Sequence, residues 1–569
     1  MGFLVVIPAC LAFLFSISTT GALPRSPLDP LFDGGSAATF ADTLRTQYPS
    51  RVPGSEGAAE SAIWYRETVA SLGLQTEEDV WTADLADLGQ VELRNIVSIV
   101  PGRSDQAIVV VAHRDNAGAD EALGENASGT AMLIELARGF AAQEIGPAPL
   151  PDHTLALVST DAGAFGGAGA ARFIDESPFA QDALAVVVLD DLGPGRPRLA
   201  IAGDEPVSPA RTLVRTAAAR LSEELGVTPA LPSLATQLVD LGVPFALDEQ
   251  GRFLAGQLSA VTVTTDGEGA TAPPSSERLG QLGRATEALV SSLDRSVGGA
   301  FRTPDSLFFS DRAASGWTAR LALILGVVPF ALGLVDLIVR GRRRGLPFGP
   351  AIRAQCARLG IWGFGALVVW IGALAQILPT GEPLPLPPYA EFLETPPVFG
   401  ALVLASAFVL GWLVIRRPLV PVTVAAADER LAGFIVALAV LGAVAFGLAV
   451  YRPYALVFVF PSLYAWLWLP LDARLAVRLG TLAAGLVGPI AGLVLLGHQL
   501  DLSILDAALY VVGLFTVGYL PLGSALLGIA WVAAATQIGT LALGRYAPYA
   551  GGVATPPEGP LPRSFARLR

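Results

Sequence analysis

The apolar positions follow two different patterns, which divide the chain near residue 312. Before that point, short continuous apolar runs such as AIVVVAH, HTLALVST and AVVVLDD alternate with amphipathic helical sequence such as ARTLVRTAAARLSEEL. Continuous apolar strands are typical of a sheet that helices cover on both faces. The pattern therefore predicts an α/β domain, a three-layer α/β/α sandwich, whose active site would lie at the carboxyl ends of the strands.

The second pattern consists of long apolar segments with few charges. About eight of them start near positions 317, 357, 397, 431, 454, 479, 504 and 523. Each approaches the ~20 residues that a helix needs to cross a bilayer. We predict an all-α multi-span transmembrane domain over residues 313–546, followed by a polar tail over residues 547–569.

The amino-terminal segment, residues 1–22, contains an apolar run over residues 3–19. Such a run is typical of a signal peptide or of an uncleaved anchor helix, and the sequence does not distinguish the two. The α/β domain is then expected over residues 23–312.

The arginines between the apolar segments predict the orientation of the chain in the membrane. The first segment ends in RGRRRG (residues 340–345), and the third is followed by Arg416 and Arg417. By the positive-inside rule these loops are cytoplasmic, which predicts a multi-pass protein of the cell membrane with an extracytoplasmic α/β domain. Eight crossings would leave the arginine-bearing tail outside, so it stays open whether both of the last two segments cross.

Composition narrows the classes of partner. The chain has a net charge of -13 and no basic run in its first half, which excludes nucleic acid as a partner because phosphate binding needs clustered cations. Its 52% hydrophobic content indicates that part of the chain lies in the lipid bilayer. The only two cysteines, Cys10 and Cys356, cannot form a framework of extracellular disulfides, so the α/β domain must be stabilised by its core.

The chemistry-bearing segment is VVVAHRDNAGADEALGENASGTAMLIELAR, residues 109–138. A buried strand ends in His113 and Asp115, and Glu125 precedes Asn-Ala-Ser-Gly at the start of a helix. This segment resembles the di-zinc aminopeptidases of peptidase family M28, and the resemblance extends over roughly residues 38–290. It implies that His113 binds zinc, that Asp115 supports this histidine, and that Glu125 takes the place of the carboxylate that bridges two metal ions.

Later segments depart from the pattern of that family. In STDAGAFGG the resemblance places Asp161 at the position of the catalytic base, whereas Ala162 stands where a ligand of the second zinc is expected. Asp190, in AVVVLDDLG, matches a carboxylate of the first zinc site, but QLVDLGVPF keeps Asp240 and lacks the final histidine. His113, Glu125 and Asp190 would still supply the three ligands of one zinc, while two ions are not expected.

Two functions stay open at this point, and a third has less support. The first is a catalytically degenerate domain that binds a peptide or a protein at the extracytoplasmic face. The alternative is an active single-zinc membrane metallopeptidase with Asp161 as its base, assisted by Asp115. Transport is a third reading, although the spans carry few charges and show no obvious repeat. A purely structural reading would make His113 a hydrogen-bonded histidine at a strand end and Asp161 an N-cap of the Gly-rich turn that follows it.

Overall fold

The computed structural model describes residues 6–118, 124–145, 150–265, 274–296, 301–415, 425–546 and 548. The chain divides into two compact units. The α/β unit comprises Leu11–Ala319 and Gly381–Glu391. The helical unit comprises Met1–Cys10, Arg320–Thr380 and Phe392–Arg569. The short segment Gly381–Glu391 therefore belongs to the α/β unit although it lies far along the chain.

Ten strands occur in the described residues. They are β1 Ser18–Thr19, β2 Gln75–Leu85, β3 Gly89–Val100, β4 Ala107–His113, β5 Thr154–Thr160, β6 Ala183–Leu189, β7 Pro197–Ala200, β8 Ala260–Thr265, β9 Leu307–Phe309 and β10 Arg312–Ala314. Strands β2 to β8 form one sheet in the order β2-β3-β5-β4-β6-β8-β7, and its four central strands are parallel. The remaining three form a small antiparallel sheet, β1-β10-β9.

Ten helices precede residue 296 in the described residues. They are α1 Val6–Phe15, α2 Gly34–Gln47, α3 Glu56–Ala70, α4 Ala127–Ile145, α5 Ala168–Glu176, α6 Pro178–Gln181, α7 Arg211–Leu225, α8 Leu234–Gly242, α9 Gln250–Ala255 and α10 Ser276–Asp294. Serine side chains cap several of them: Ser55 accepts a hydrogen bond from the backbone of Ala58, and Ser275 accepts one from Arg278. These caps satisfy backbone donors that the first helical turn leaves free.

The core has the two faces that the apolar strands predict. Alternate residues of β4 enter different clusters, since Ile108 and Val110 pack with residues of α4, α7 and α10, whereas Val109 and Val111 pack with residues of α5 and α9. Because successive side chains of a strand point to opposite faces, a fully buried strand must be apolar throughout. The predicted three-layer α/β/α sandwich is confirmed.

The apolar segments after residue 319 lie in the helical unit. Its helices are α11 Gly316–Arg343, α12 Phe348–Leu374, α13 Glu391–Glu394, α14 Val398–Ile415, α15 Ala427–Tyr451, α16 Leu456–Leu467, α17 Leu475–Gln499, α18 Ile504–Thr516 and α19 Leu522–Ala542. Five helices of the described chain are long and apolar enough to cross a membrane, namely α11, α12, α15, α17 and α19. By their length and composition, these helices indicate a membrane protein.

The expected number of about eight spans stays a prediction. Helices α14, α16 and α18 are apolar but shorter than the other five. At 1.5 Å per residue, the 12 residues of α16 and the 13 of α18 rise only about 20 Å, less than the ~30 Å of a hydrocarbon core. Arg416, Arg417 and the tail from residue 549 onward lie outside the described residues, and the orientation of the chain stays a prediction.

Candidate functional site

The carboxyl ends of the parallel strands bring the predicted side chains to one edge of the sheet. In the register of β4 and β5, His113 lies beside Thr160, and Asp161 follows directly. Strand β6 pairs with β4 on its other side and ends at Leu189, so Asp190 emerges at the same edge. This is where the fold was expected to place a site.

His113 is buried between two carboxylates. Its Nε2 atom lies 3.1 Å from Oδ1 of Asp190, and its Nδ1 atom lies 3.2 Å from Oδ1 of Asp115. Burial by itself would lower the pKa of this imidazole, but the charges of Asp115 and Asp190 raise it well above its ordinary value of 6.5. The ring is thus held as a cation that both carboxylates stabilise.

Asp115 fixes the orientation of this histidine. Its two carboxylate oxygens accept hydrogen bonds from the backbone N–H groups of Gly163 and Ala164, at 2.8 and 3.0 Å. The carboxylate is therefore locked between the turn after β5 and the ring of His113. This arrangement is that of a positioning residue, and the catalytic part assigned to Asp115 stays a prediction.

Glu125 is engaged by a buried arginine that the sequence analysis left without a role. The guanidinium of Arg51, which is fully buried, donates a hydrogen bond to Oε1 of Glu125 at 2.5 Å. Asn116 donates to Oε2 at 3.0 Å, and the backbone of Ala127 donates to Oε1 at 2.8 Å. Burial would raise the pKa of Glu125, yet the charge of Arg51 and these donors hold it below its ordinary value, so the side chain is ionised.

Asp161 lies in a separate buried pair. Its Oδ2 atom lies 3.6 Å from the guanidinium of Arg114 and accepts a hydrogen bond from the backbone of Arg94 at 3.1 Å. Burial raises the pKa of Asp161 to about 6 against the opposing charge of Arg114. Its Oδ1 atom also accepts a hydrogen bond from the backbone of Ala162 at 2.9 Å, at the start of the Gly-rich turn, and the N-cap interpretation stays a prediction.

The position of the missing second-zinc ligand is filled by apolar packing. Ala162 is fully buried in a cluster with Leu85, Leu93, Ala168 and Leu384. Ala162 thus packs against apolar side chains of the α/β unit.

A small cavity lies at the edge of the sheet beside His113. Its volume is about 160 Å³, below the ~300–1,000 Å³ that is usual for ligand pockets. The polar side chains that line it are His113, Glu125, Asp190, Asp191, Asp248 and Tyr389. Neither Asp115 nor Asp161 belongs to its lining. Of the five predicted site residues, His113, Glu125 and Asp190 thus line the cavity, and the other two do not.

Two acidic residues near the cavity were missed by sequence reasoning. Asp248 lines the cavity, and burial together with the charge of Asp190 raises its pKa to about 7. Glu249 is buried beside Thr160, and burial raises its pKa to about 7. The feature that could have identified them is the pair of adjacent acidic residues in FALDEQG. It closely follows the stretch QLVDLGVPF, in which the sequence analysis singled out only Asp240.

The predicted zinc ligands are His113, Asp190 and Glu125. A catalytic zinc usually takes three protein ligands. His113 and Asp190 face each other, but the oxygens of Glu125 are bonded to Arg51 and Asn116. Within the described ranges, no group of three or more His, Cys, Asp or Glu side chains could hold a metal ion. As placed, these residues do not fit zinc, and zinc binding stays a prediction that requires Glu125 to leave Arg51.

Comparison with known proteins agrees with the fold. Residues 95–238 match the model of Peptidase family M28. Among solved structures, the chain is similar to a leucine aminopeptidase precursor from Bacteroides thetaiotaomicron (15% identity, 46% of this chain and 98% of that chain covered, TM-score 0.36). A zinc aminopeptidase from Bacillus subtilis is also similar (13% identity, 46% and 95% covered, TM-score 0.36). So is a glutaminyl cyclase from Bacteroides thetaiotaomicron (15% identity, 46% and 99% covered, TM-score 0.35).

A search of curated proteins finds no match. The sheet order, the site at the strand ends and the matched residues 95–238 define a peptidase-like α/β domain. Residues 95–238 are thus similar to Peptidase family M28, and the domain that contains them is joined to a unit with several apolar helices.

Proposed function

We propose that this chain is a membrane protein whose M28-like domain binds a peptide or a partner protein at the extracytoplasmic face and has lost two-metal peptidase chemistry. The observation that carries the proposal is the ion pair of Glu125 with the buried Arg51. A carboxylate that bridges two metal ions needs free oxygens on both sides, and here both oxygens of Glu125 already accept hydrogen bonds from protein donors. The apolar surroundings of Ala162 support the same conclusion.

The cavity suggests the chemistry of the ligand. Asp190, Asp191 and Asp248 line it together, and burial together with the charge of Asp190 raises the pKa of Asp191 to about 6 and that of Asp248 to about 7. Such mutual repulsion is relieved by a bound cation. The protonated amino terminus of a peptide is a compact cation with three donors, and it fits a site lined by carboxylates.

The side of the membrane is inferred from charge. Arg340, Arg342 and Arg343 lie in the last turn of α11, which directly follows the α/β unit. The positive-inside rule assigns that end of α11 to the cytoplasm, so its other end and the α/β unit are outside.

A single-zinc membrane peptidase is the second candidate. It is favoured by the 3.1 Å separation of His113 Nε2 and Asp190 Oδ1, since two of the three predicted ligands already face each other. The position of Asp161 argues against it, because this predicted base is paired with Arg114 and does not line the cavity.

The two candidates differ in metal content and in peptide binding. We would purify the full chain in detergent and measure zinc by elemental analysis, beside an Asp190→Ala control. In parallel, fluorescence polarisation would follow the binding of labelled alanyl-alanyl-alanine amide and of its N-acetylated counterpart.

Binding that acetylation abolishes, without zinc, is the result expected for the proposed function. One zinc per chain that is lost in Asp190→Ala, together with release of alanine, would establish the peptidase instead. Absence of both zinc and binding of the free amino terminus would reject both candidates.

A further inference from the structure

Residues 381–391 connect helices of the helical unit, yet they are part of the α/β unit. The backbone N–H of Glu382 donates a hydrogen bond to the carbonyl of Asp84 at 2.8 Å. Leu384 is buried in the apolar cluster around Ala162, and the backbone of Glu391 donates to the carboxylate of Asp87. The segment is thus attached to the peptidase-like domain at its start, its middle and its end.

Tyr389 is the residue of this segment that reaches the cavity. Its hydroxyl donates a hydrogen bond to the carbonyl of Ala164 at 2.6 Å, and its ring meets that of Phe165 edge to face, with centroids 6.3 Å apart. Tyr389 lines the cavity together with Pro387 and Pro388. Two prolines and a ring that is held at both ends make a stiff wall, because proline fixes the backbone torsion φ.

Two glycines of the α/β unit, Gly124 and Gly166, face residues 381–391. A Cβ atom at Gly124 would lie 2.7 Å from the Tyr389 hydroxyl, and one at Gly166 would lie 2.5 Å from the carbonyl of Pro385. Both glycines also have positive φ, which larger residues rarely adopt. The domain thus leaves just enough room for residues 381–391 to lie directly on the turn that positions Asp115.

We propose that residues 381–391 form the outer wall of the acidic cavity and that Tyr389 determines which ligands enter it. This inference rests on the proposed function, in which the cavity is the binding site. With this wall in place, the cavity of about 160 Å³ admits an amino group with a small first side chain and excludes bulkier amines. The specificity of the peptidase-like domain is thus set by a segment between two apolar helices rather than by the domain's own loops.

The test measures access to the cavity without requiring any peptide ligand. In the full chain with Cys10→Ala and Cys356→Ala, the substitution Leu247→Cys places one thiol in the cavity lining. Its labelling rate would be measured with 2-aminoethyl methanethiosulfonate and with the biotinylated form of the same reagent, in the presence of Tyr389, Tyr389→Phe or Tyr389→Ala. A thiol introduced by Glu60→Cys, at an exposed position of α3, is the matched control.

Removal of the ring enlarges the opening, so we expect Tyr389→Ala to speed labelling by the large reagent about tenfold or more and to leave the small reagent within about threefold. Tyr389→Phe keeps the ring and should retain slow labelling by the large reagent, and the Glu60→Cys control should be equal in all three backgrounds. Equal rates for the large reagent with and without the ring would overturn the proposal. An equal acceleration of both reagents would overturn it too, since it would indicate general loosening rather than selection by size.

The outcome is separable from that of the proposed function. If size selection depends on Tyr389 but alanyl-alanyl-alanine amide does not bind, the role of residues 381–391 as the cavity wall is supported and the proposed peptide-binding function is rejected. If that peptide binds and size selection does not depend on Tyr389, the function stands and the wall assignment fails.

Discussion

The buried guanidinium of Arg51 contacts the carboxylate of Glu125 at 2.5 Å. Arg51 also donates to the carbonyls of Tyr48 and Arg114, so its position is fixed from several sides. A buried charge of this kind is tolerated only when it is paired and hydrogen-bonded. The charge of Glu125 is thus neutralised by the protein itself.

Removing this cation should destabilise the domain strongly. Arg51→Met leaves Glu125 without its counter-ion and two backbone carbonyls without a donor, which we expect to cost about 3–5 kcal/mol of unfolding free energy. Thermal unfolding of the full chain in detergent would measure the loss. Arg103→Gln is the control, because it breaks only an exposed pair with Asp152 and should cost at most about 1 kcal/mol. Similar losses in both variants would contradict the structural role of Arg51.

Restoring the missing ligand should not restore the peptidase. Ala162→Glu places a carboxylate in the cluster that contains Leu93 and Leu384, at a residue with φ of +54°. Burying an unpaired carboxylate among apolar side chains costs several kcal/mol, on the order of 3 or more, so we expect a lower unfolding temperature and no gain of zinc. Ala59→Glu, at an exposed position of α3, should change stability by less than about 0.5 kcal/mol. A variant that is stable and binds zinc would contradict this prediction, because a single substitution would then be enough to restore the second metal site.

Glu249 should make stability depend on pH. Burial raises its pKa from 4.5 to about 7, so the folded protein holds this proton more tightly than the unfolded chain does. The resulting stabilisation is complete below pH 4.5 and is lost as the pH rises through about 7. Glu249→Gln removes this pH dependence. Between pH 4.5 and pH 8, the free energy of unfolding of the variant should therefore rise by roughly 3 kcal/mol relative to that of the native chain. Unfolding temperatures of both proteins across that range would test this, and parallel curves would refute it.

The predicted orientation can be tested in intact cells. With the native cysteines replaced by alanine, Thr380→Cys places a thiol just before the segment that lies on the α/β unit, and Arg342→Cys places one at the end of α11. We expect a membrane-impermeant maleimide to label the first thiol in intact cells and the second only after permeabilisation. The reverse pattern would place the α/β unit in the cytoplasm and exclude an extracytoplasmic ligand.

Much of the architecture could be predicted from the sequence, because it follows from local patterns. The apolar strands ending in His113 and before Asp190 are visible as continuous runs, and parallel strands bring their carboxyl ends together whatever the details of packing. The apolar helices are equally local features. Their lengths were less certain, since α16 and α18 end earlier than the apolar composition suggested.

Other features depended on contacts between residues that are distant in the chain. The partner of Glu125 is Arg51, 74 positions away, and the wall of the cavity comes from Tyr389, 225 positions after the Ala164 carbonyl that it contacts. The sequence by itself determined the fold class, the membrane helices and the loss of ligands at Ala162 and after Asp240. Only the tertiary structure decided that Arg51 pairs with Glu125 and that Asp161 pairs with Arg114 outside the cavity lining, because charge pairing and burial are properties of three-dimensional neighbours and not of residue order.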